Sequence, residues 1–198
     1  MSRTSFVTAA SSALLTLLLT SNAVNAAGDV NFQPEVLEPG RHPMIPHDHS
    51  AEATAKLKQN IPTLATVPDK MLHMIMNMMR SDYAWYISPD GTKGKVGVLI
   101  LNHGVSEPSD QAFKKQMMPI AEKQPTAIAF GMAMTTNQAL QQAIDDLNAQ
   151  NVDLIVAVDP DTSEHKSLYR QWHYILGLRD KAAYMDVPQV KSKAPIYM

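Results

Sequence analysis

The chain contains no cysteine, which removes disulfides, thiolate metal sites and cysteine nucleophiles together. Any transition-metal site must then be built from His, Asp, Glu or Met. Aromatic residues are few, at 6%, and charged residues make up only 18%. The formal net charge is −2 and no block of Lys or Arg interrupts the sequence, so a nucleic-acid partner finds no electrostatic footprint. Also missing are a phosphate-binding Gly-rich loop, a G-x-S-x-G nucleophile elbow and an H-E-x-x-H zinc motif. Nucleotide enzymes and serine hydrolases therefore have no positive support.

What is present is an apolar share of 45% over 198 residues, enough for one domain of ordinary size plus some extra chain. Methionine is plentiful, with 13 in all and five of them between Met71 and Met79. Near the start, Arg3 precedes the run Ala13 to Leu19, ALLTLLL, and the small residues Asn22 to Ala27 follow. One basic residue, a short apolar core and an Ala-type cleavage site predict a secretory signal peptide over residues 1–27, cleaved after Ala26 or Ala27. The apolar core is too short for an ordinary membrane span, and none is expected after cleavage. The expectation is an exported protein, periplasmic or secreted.

Residues 28–93 read as a leader. Prolines at 34, 39, 43, 46, 62 and 68 break long elements, which predicts from Gly28 to Pro68 an extended, largely irregular segment, wrapped on the domain or loose. Within it His42, His47 and His49 fall inside eight residues, with Met44 and Asp48 beside them. Imidazole, carboxylate and thioether together could hold Cu, Ni, Co or Zn; the alternative is a solvated turn. Pro68-Asp69 opens a predicted helix from Lys70 to about Arg80, whose Met71, Leu72, Met74, Ile75, Met78 and Met79 form a broad apolar face. That face is core, an arm packed on the domain, or a groove for a flat hydrophobic ligand, since Met adapts its shape. Tyr83, Trp85 and Tyr86 look like an anchor, and Ser88 to Gly91 like a turn.

From residue 94 onward strands and helices alternate. Val96 to Gly104, VGVLILNHG, is a run suited to a strand buried on both faces, ending on Asn102, His103 and Gly104. Ser106-Glu107-Pro108 offers a helix start with Phe113, Met117 and Ile120 on one face. Thr126 to Met132 is a second buried strand, and Thr135 or Thr136 caps a helix carrying Leu140, Ala143, Ile144 and Leu147. Asn151 suits the left-handed position that ends it. Val152 to Val158 is strand three, a polar loop with His165 leads into a helix bearing Leu168, Trp172, Ile175 and Leu176, and Ala194 to Met198 is strand four.

That order predicts an open parallel α/β sheet of about four strands with right-handed crossovers. Ligands bind at the carboxyl edge of such sheets, where His103 and His165 are delivered. The alternatives are that His103 is a hydrogen-bonded structural histidine and His165 an exposed loop residue. Glu107 could be a carboxylate that orients the His103 ring, or a first-turn acid favoured by the helix dipole.

LILNHGVSEP, then TAIAFGM with ALQQAIDDLNAQNVDLIVAV, then PDTSEHKSLYRQ, resemble in order and spacing the CbiX-type sirohydrochlorin cobaltochelatases, members of the class II metal chelatases. The similarity covers Val96 to about Leu176. It implies a flavodoxin-like half-unit with strand order 2-1-3-4, over residues 94–198, and a pairing of two such units as a homodimer or with a second half-unit beyond this chain. It also implies that His103 and His165 hold the divalent metal, Co²⁺ first, with Fe²⁺, Ni²⁺ or Zn²⁺ as options, above a tetrapyrrole. The sequence departs from the family at Asn102, where a small residue is usual, and at Gly131-Met132, where an acid is common.

Two functions follow. One is insertion of a divalent metal into a sirohydrochlorin-like tetrapyrrole, for which neutral imidazole, with an ordinary pKa of about 6.5, can bind metal or accept a pyrrole proton. The other is an exported metal- or tetrapyrrole-binding protein without turnover, favoured by the signal peptide, the His tract and the Met-rich helix.

Overall fold

Valine, isoleucine and leucine side chains make Val96–Asn102 a strand that can be covered on both faces, and it sits in the middle of the sheet. The computed structural model describes residues 37–78, 81–131, 136–160 and 166–198, and Leu37–Met198 form one compact unit. The signal peptide expected over 1–27 lies outside the described residues. The described strands are β1 (Tyr83–Tyr86), β2 (Val96–Asn102), β3 (Thr126–Phe130), β4 (Leu154–Val158) and β5 (Ile196–Tyr197). The helices are α1 (Ala51–Asn60), α2 (Asp69–Met78), α3 (Glu107–Ala121), α4 (Gln138–Ala149) and α5 (Ser167–Ile175), with a 3-10 turn at Pro62–Leu64.

The protein is α/β with a mixed five-stranded sheet in the order β1-β3-β2-β4-β5. β2 pairs in parallel with β3 on one side and β4 on the other, and β4 with β5. The expectation of a four-stranded, all-parallel sheet is corrected by β1, which runs antiparallel beside β3 with Trp85 opposite Ile128. The physical reason is the outer edge of β3, which would otherwise present a row of unpaired backbone groups. Tyr83, Ala84 and Trp85 close it and are themselves fully buried. The segment before α1 extends the same pairing, with bridges Arg41 to Trp85 and Ile45 to Asp82.

Of the two alternatives for the leader, wrapped on the domain or loose, its described residues show the first, and they complete the core. Because side chains alternate across a strand, the sheet sorts them into two clusters. Tyr83, Trp85, Ile100, Ile128 and Phe130 pack under α3 through Ala121, Phe113, Met117 and Met118. Ala84, Leu99, Leu101, Ala127, Ala129 and Ile155 face the other way, against α4 and α5, and Leu57 of α1 with Leu72 and Met76 of α2 join them. On α3, Ile120 falls outside the expected apolar face and is exposed, while Met118 packs instead.

At the helix ends, Ser106 accepts from the Ser109 amide at the start of α3, and Asn151 takes a left-handed φ of 56° after α4, both as expected. The cap expected at Thr135 or Thr136 falls instead on Asn137, whose side chain makes no cap bond; Thr136 stands one residue earlier and its Oγ1 accepts from the Gln138 amide, while Thr135 lies outside the described residues. The polar chain before β5 is held by amide side chains. Buried Gln171 accepts from the Ala183 and Tyr184 amides and donates to Met185 O, and Gln141 exchanges two hydrogen bonds with the Lys191 backbone. Among the described residues, no helix is long and apolar enough to cross a membrane.

Candidate functional site

The crossovers leave β2 toward β3 on one side and reach β4 on the other, so the carboxyl ends of β2 and β4 flank the point where the strand order reverses. That is the crevice in which open α/β sheets bind ligands. His103 follows β2 directly and is exposed. β4 ends at Val158, with Asp159 and Pro160 beyond it. His165 lies outside the described residues.

The His103 ring is set by its own turn. Its Nδ1 lies 2.7 Å from Gly104 O, and a carbonyl oxygen can only accept, so Nδ1 carries the proton. In the neutral ring Nε2 then holds the lone pair and is directed away from the backbone. Metal-binding histidines commonly show this arrangement, the second nitrogen donating to a carbonyl or carboxylate. Gly104 allows the turn with a left-handed φ of 72°. Asn102 Oδ1 accepts from the Gly104 amide at 2.8 Å, the side chain mimicking a backbone turn.

Beneath this turn sits Asp110, only 1% exposed. Its carboxylate accepts from the Tyr83 hydroxyl at 2.8 Å and from the Val105 amide at 3.3 Å. Asn102 and Asp110 thus hold the two amides that follow His103. Tyr83 is fixed in turn by stacking on Phe130, ring centroids 4.8 Å apart, and by the Arg41 guanidinium 4.7 Å from its centre. Arg41 also lies over Trp85 and makes a bidentate pair with Glu107, both bonds 2.8 Å. At the end of β3, Gly131 has φ 127°, and a Cβ there would lie 2.1 Å from Asp82 Oδ1. Only glycine lets Asp82, itself buried, close over this corner.

Glu107 therefore faces Arg41 and Gln111, the latter at 3.1 Å, while the acceptor that orients the His103 ring is Gly104 O. The His tract does not act as one group. His42 Nε2 pairs with Asp146 Oδ2 of α4 at 2.8 Å, and burial pushes the Asp146 carboxyl up against the opposing effect of His42. His47 is half-buried, and His49 stands edge-on to His73 of α2. Among the described residues, no three His, Asp or Glu side chains converge as a metal-holding group.

Of these residues the sequence marks His103 as a site residue and Tyr83 only as part of an anchor; Arg41, Asp82 and Asp110 carry no such mark. Asp110 reads in sequence as an ordinary first-turn acid, and the one available hint was that Tyr83 and Trp85 stand two apart, as on one face of a strand. No protein-family model, curated protein or solved structure matches the chain.

Proposed function

We propose that the carboxyl edge of β2 is the centre of a divalent metal chelatase, a flavodoxin-like half-unit of the CbiX type working outside the cytoplasm. The ion is substrate here, Co²⁺ first and Fe²⁺, Ni²⁺ or Zn²⁺ as alternatives, and the acceptor is a sirohydrochlorin-like tetrapyrrole. The single observation that carries the reading is the 2.7 Å contact of His103 Nδ1 with Gly104 O. It assigns the proton to Nδ1, so that in the neutral ring Nε2 keeps the lone pair with which to ligate the ion or take a pyrrole N–H proton. His165 supplies the second ligand, and a second copy of the chain, or a second half-unit, closes the pocket over the macrocycle.

The support is chemical. Insertion requires a ligand that binds and then releases the ion, which imidazole does more readily than a thiolate cage. It also requires a fixed geometry, because positioning lowers the barrier; the Asn102 and Asp110 bonds give the His103 turn that rigidity. A second reading, an exported binding protein without turnover, is favoured by the exposed Met71, Met74 and Met78 on α2.

Purified protein mixed with Co²⁺ and sirohydrochlorin, followed by absorption spectroscopy, separates the two. A working chelatase yields metallated product over many turnovers, and His103→Ala lowers the rate by about 10²-fold or more. Wild-type turnover in His103→Ala overturns the mechanism. Absent turnover with tight metal binding supports the binding protein instead.

A further inference from the structure

We propose a second metal site, independent of His103, in which His49 and His73 hold a Cu⁺ ion between α1 and α2. His49 lies just before Ser50, whose side chain caps α1, and His73 lies in the middle of α2. Their ring centroids are 5.0 Å apart with the planes at 67°. Metal–imidazole bonds of about 2.0–2.1 Å place two ligating nitrogens roughly 3–4 Å apart, a spacing that rotation of these edge-on rings about their side-chain bonds would bring about from 5.0 Å between centroids.

The hydrogen bonds leave the right atoms available. Thr54 Oγ1 donates to Ser50 O at 2.9 Å, as a helical threonine does. Its one hydrogen is thereby committed, so His73 Nε2, 2.9 Å from the same oxygen, must be the donor. His73 Nδ1 then carries the lone pair in the neutral ring. His49 Nδ1 is buried and has no hydrogen-bond partner among the described residues. Buried polar atoms are rarely left so, and an ion shared with His73 would satisfy this one.

The surroundings select the metal. Asp48 lies within electrostatic range of His49 and places negative charge beside a cation, while Asp69, within range of His73, is already paired with Lys58. His73 also lines an open groove of about 910 Å³ together with Met71, Met74 and Met78. Imidazole with thioether at hand, and no carboxylate cage, suits a soft ion over Mg²⁺ or Ca²⁺, and thioether favours Cu⁺ in particular.

The test is an anaerobic titration of the full chain with Cu⁺ against a chromophoric competing chelator. We expect one tightly held ion in the wild type and binding at least 10-fold weaker in His49→Ala and in His73→Ala. The double variant should be no weaker than either single, because both rings serve one ion. His47→Ala and His103→Ala should keep the wild-type Cu⁺ affinity, and His49→Ala should keep the Co²⁺ affinity of the His103 edge. His49 precedes the helix cap, so its replacement decides the matter even if His73→Ala melts below the assay temperature. Unchanged Cu⁺ affinity in His49→Ala, or an equal loss in His47→Ala, overturns the site.

Discussion

His103 is held by neighbours that the residue itself does not advertise. Tyr83 reaches Asp110 from the far edge of the sheet, and Asp110 takes the amide of Val105 two residues past the histidine. Tyr83→Phe removes one hydroxyl from a fully buried site and leaves the ring stack intact. Taking a donor from a buried carboxylate costs about 1–3 kcal/mol, read as a lower denaturation midpoint with an unchanged slope. If Tyr83 positions His103, Co²⁺ affinity should also fall, by about 10-fold or more, as when an outer partner of a metal ligand is removed. A variant that is destabilised yet binds Co²⁺ normally would reduce Tyr83 to a structural role. At this scale the sequence disclosed the end of a buried strand and the histidine on it. It could not disclose Arg41 with Glu107, because 66 residues separate them and only the pairing of Arg41 with β1 brings them together.

At the scale of elements, the strands and helices from β2 onward were legible because each is amphipathic or continuously apolar over its length. β1 was not, since four residues, YAWY, are too few to show a period. α1 escaped for a different reason. Its sequence, AEATAKLKQN, buries only Ala53, Thr54 and Leu57, and so carries almost no apolar stripe. The edge segment that pairs with β1 is fastened to both helical layers by successive residues, Arg41 to Glu107 of α3 and His42 to Asp146 of α4. The second fastening has a pH signature. Burial raises the Asp146 carboxyl above its ordinary value, and His42 offsets this only in part. Above the ordinary carboxylate range the folded protein holds a proton that the unfolded chain has released, so stability from this group falls as pH rises through the raised value. Asp146→Asn keeps an acceptor for His42 and removes the titration. Thermal unfolding between pH 4 and pH 7 should show the variant gaining on the wild type as pH rises. A constant difference across that range would mean that the carboxyl is not raised by burial.

The whole molecule sets the boundary of the folding unit, which the sequence left open by allowing the leader to wrap on the domain or lie loose. Alternating strands and helices begin near residue 94, which suggests a domain that could stand alone from there. The core says otherwise. Among the described residues, Tyr83, Trp85 and Ile87 supply three of the seven buried members of the cluster between the sheet and α3, and Leu57, Ile61, Leu72, Met76 and Ala84 contribute to the opposite face. Losing one large buried aromatic side chain costs about 3–5 kcal/mol, and a domain's total stability is only about 5–15 kcal/mol. Removing Trp85 and Tyr83 alone would consume most of that, before counting the exposed edge of β3 and the loss of the Tyr83 hydroxyl from Asp110. A fragment of residues 94–198 should therefore lack cooperative thermal unfolding and near-ultraviolet dichroism, and should aggregate through the bared edge of β3. A fragment of residues 37–198 should unfold in one cooperative transition, since it retains both core clusters and the pairing of Arg41 and Ile45 with β1. Native-like dichroism and a sharp melt from 94–198 would show that β1 and the two helices before it are an attachment to the domain. Failure of both fragments would instead place part of the folding unit before Leu37.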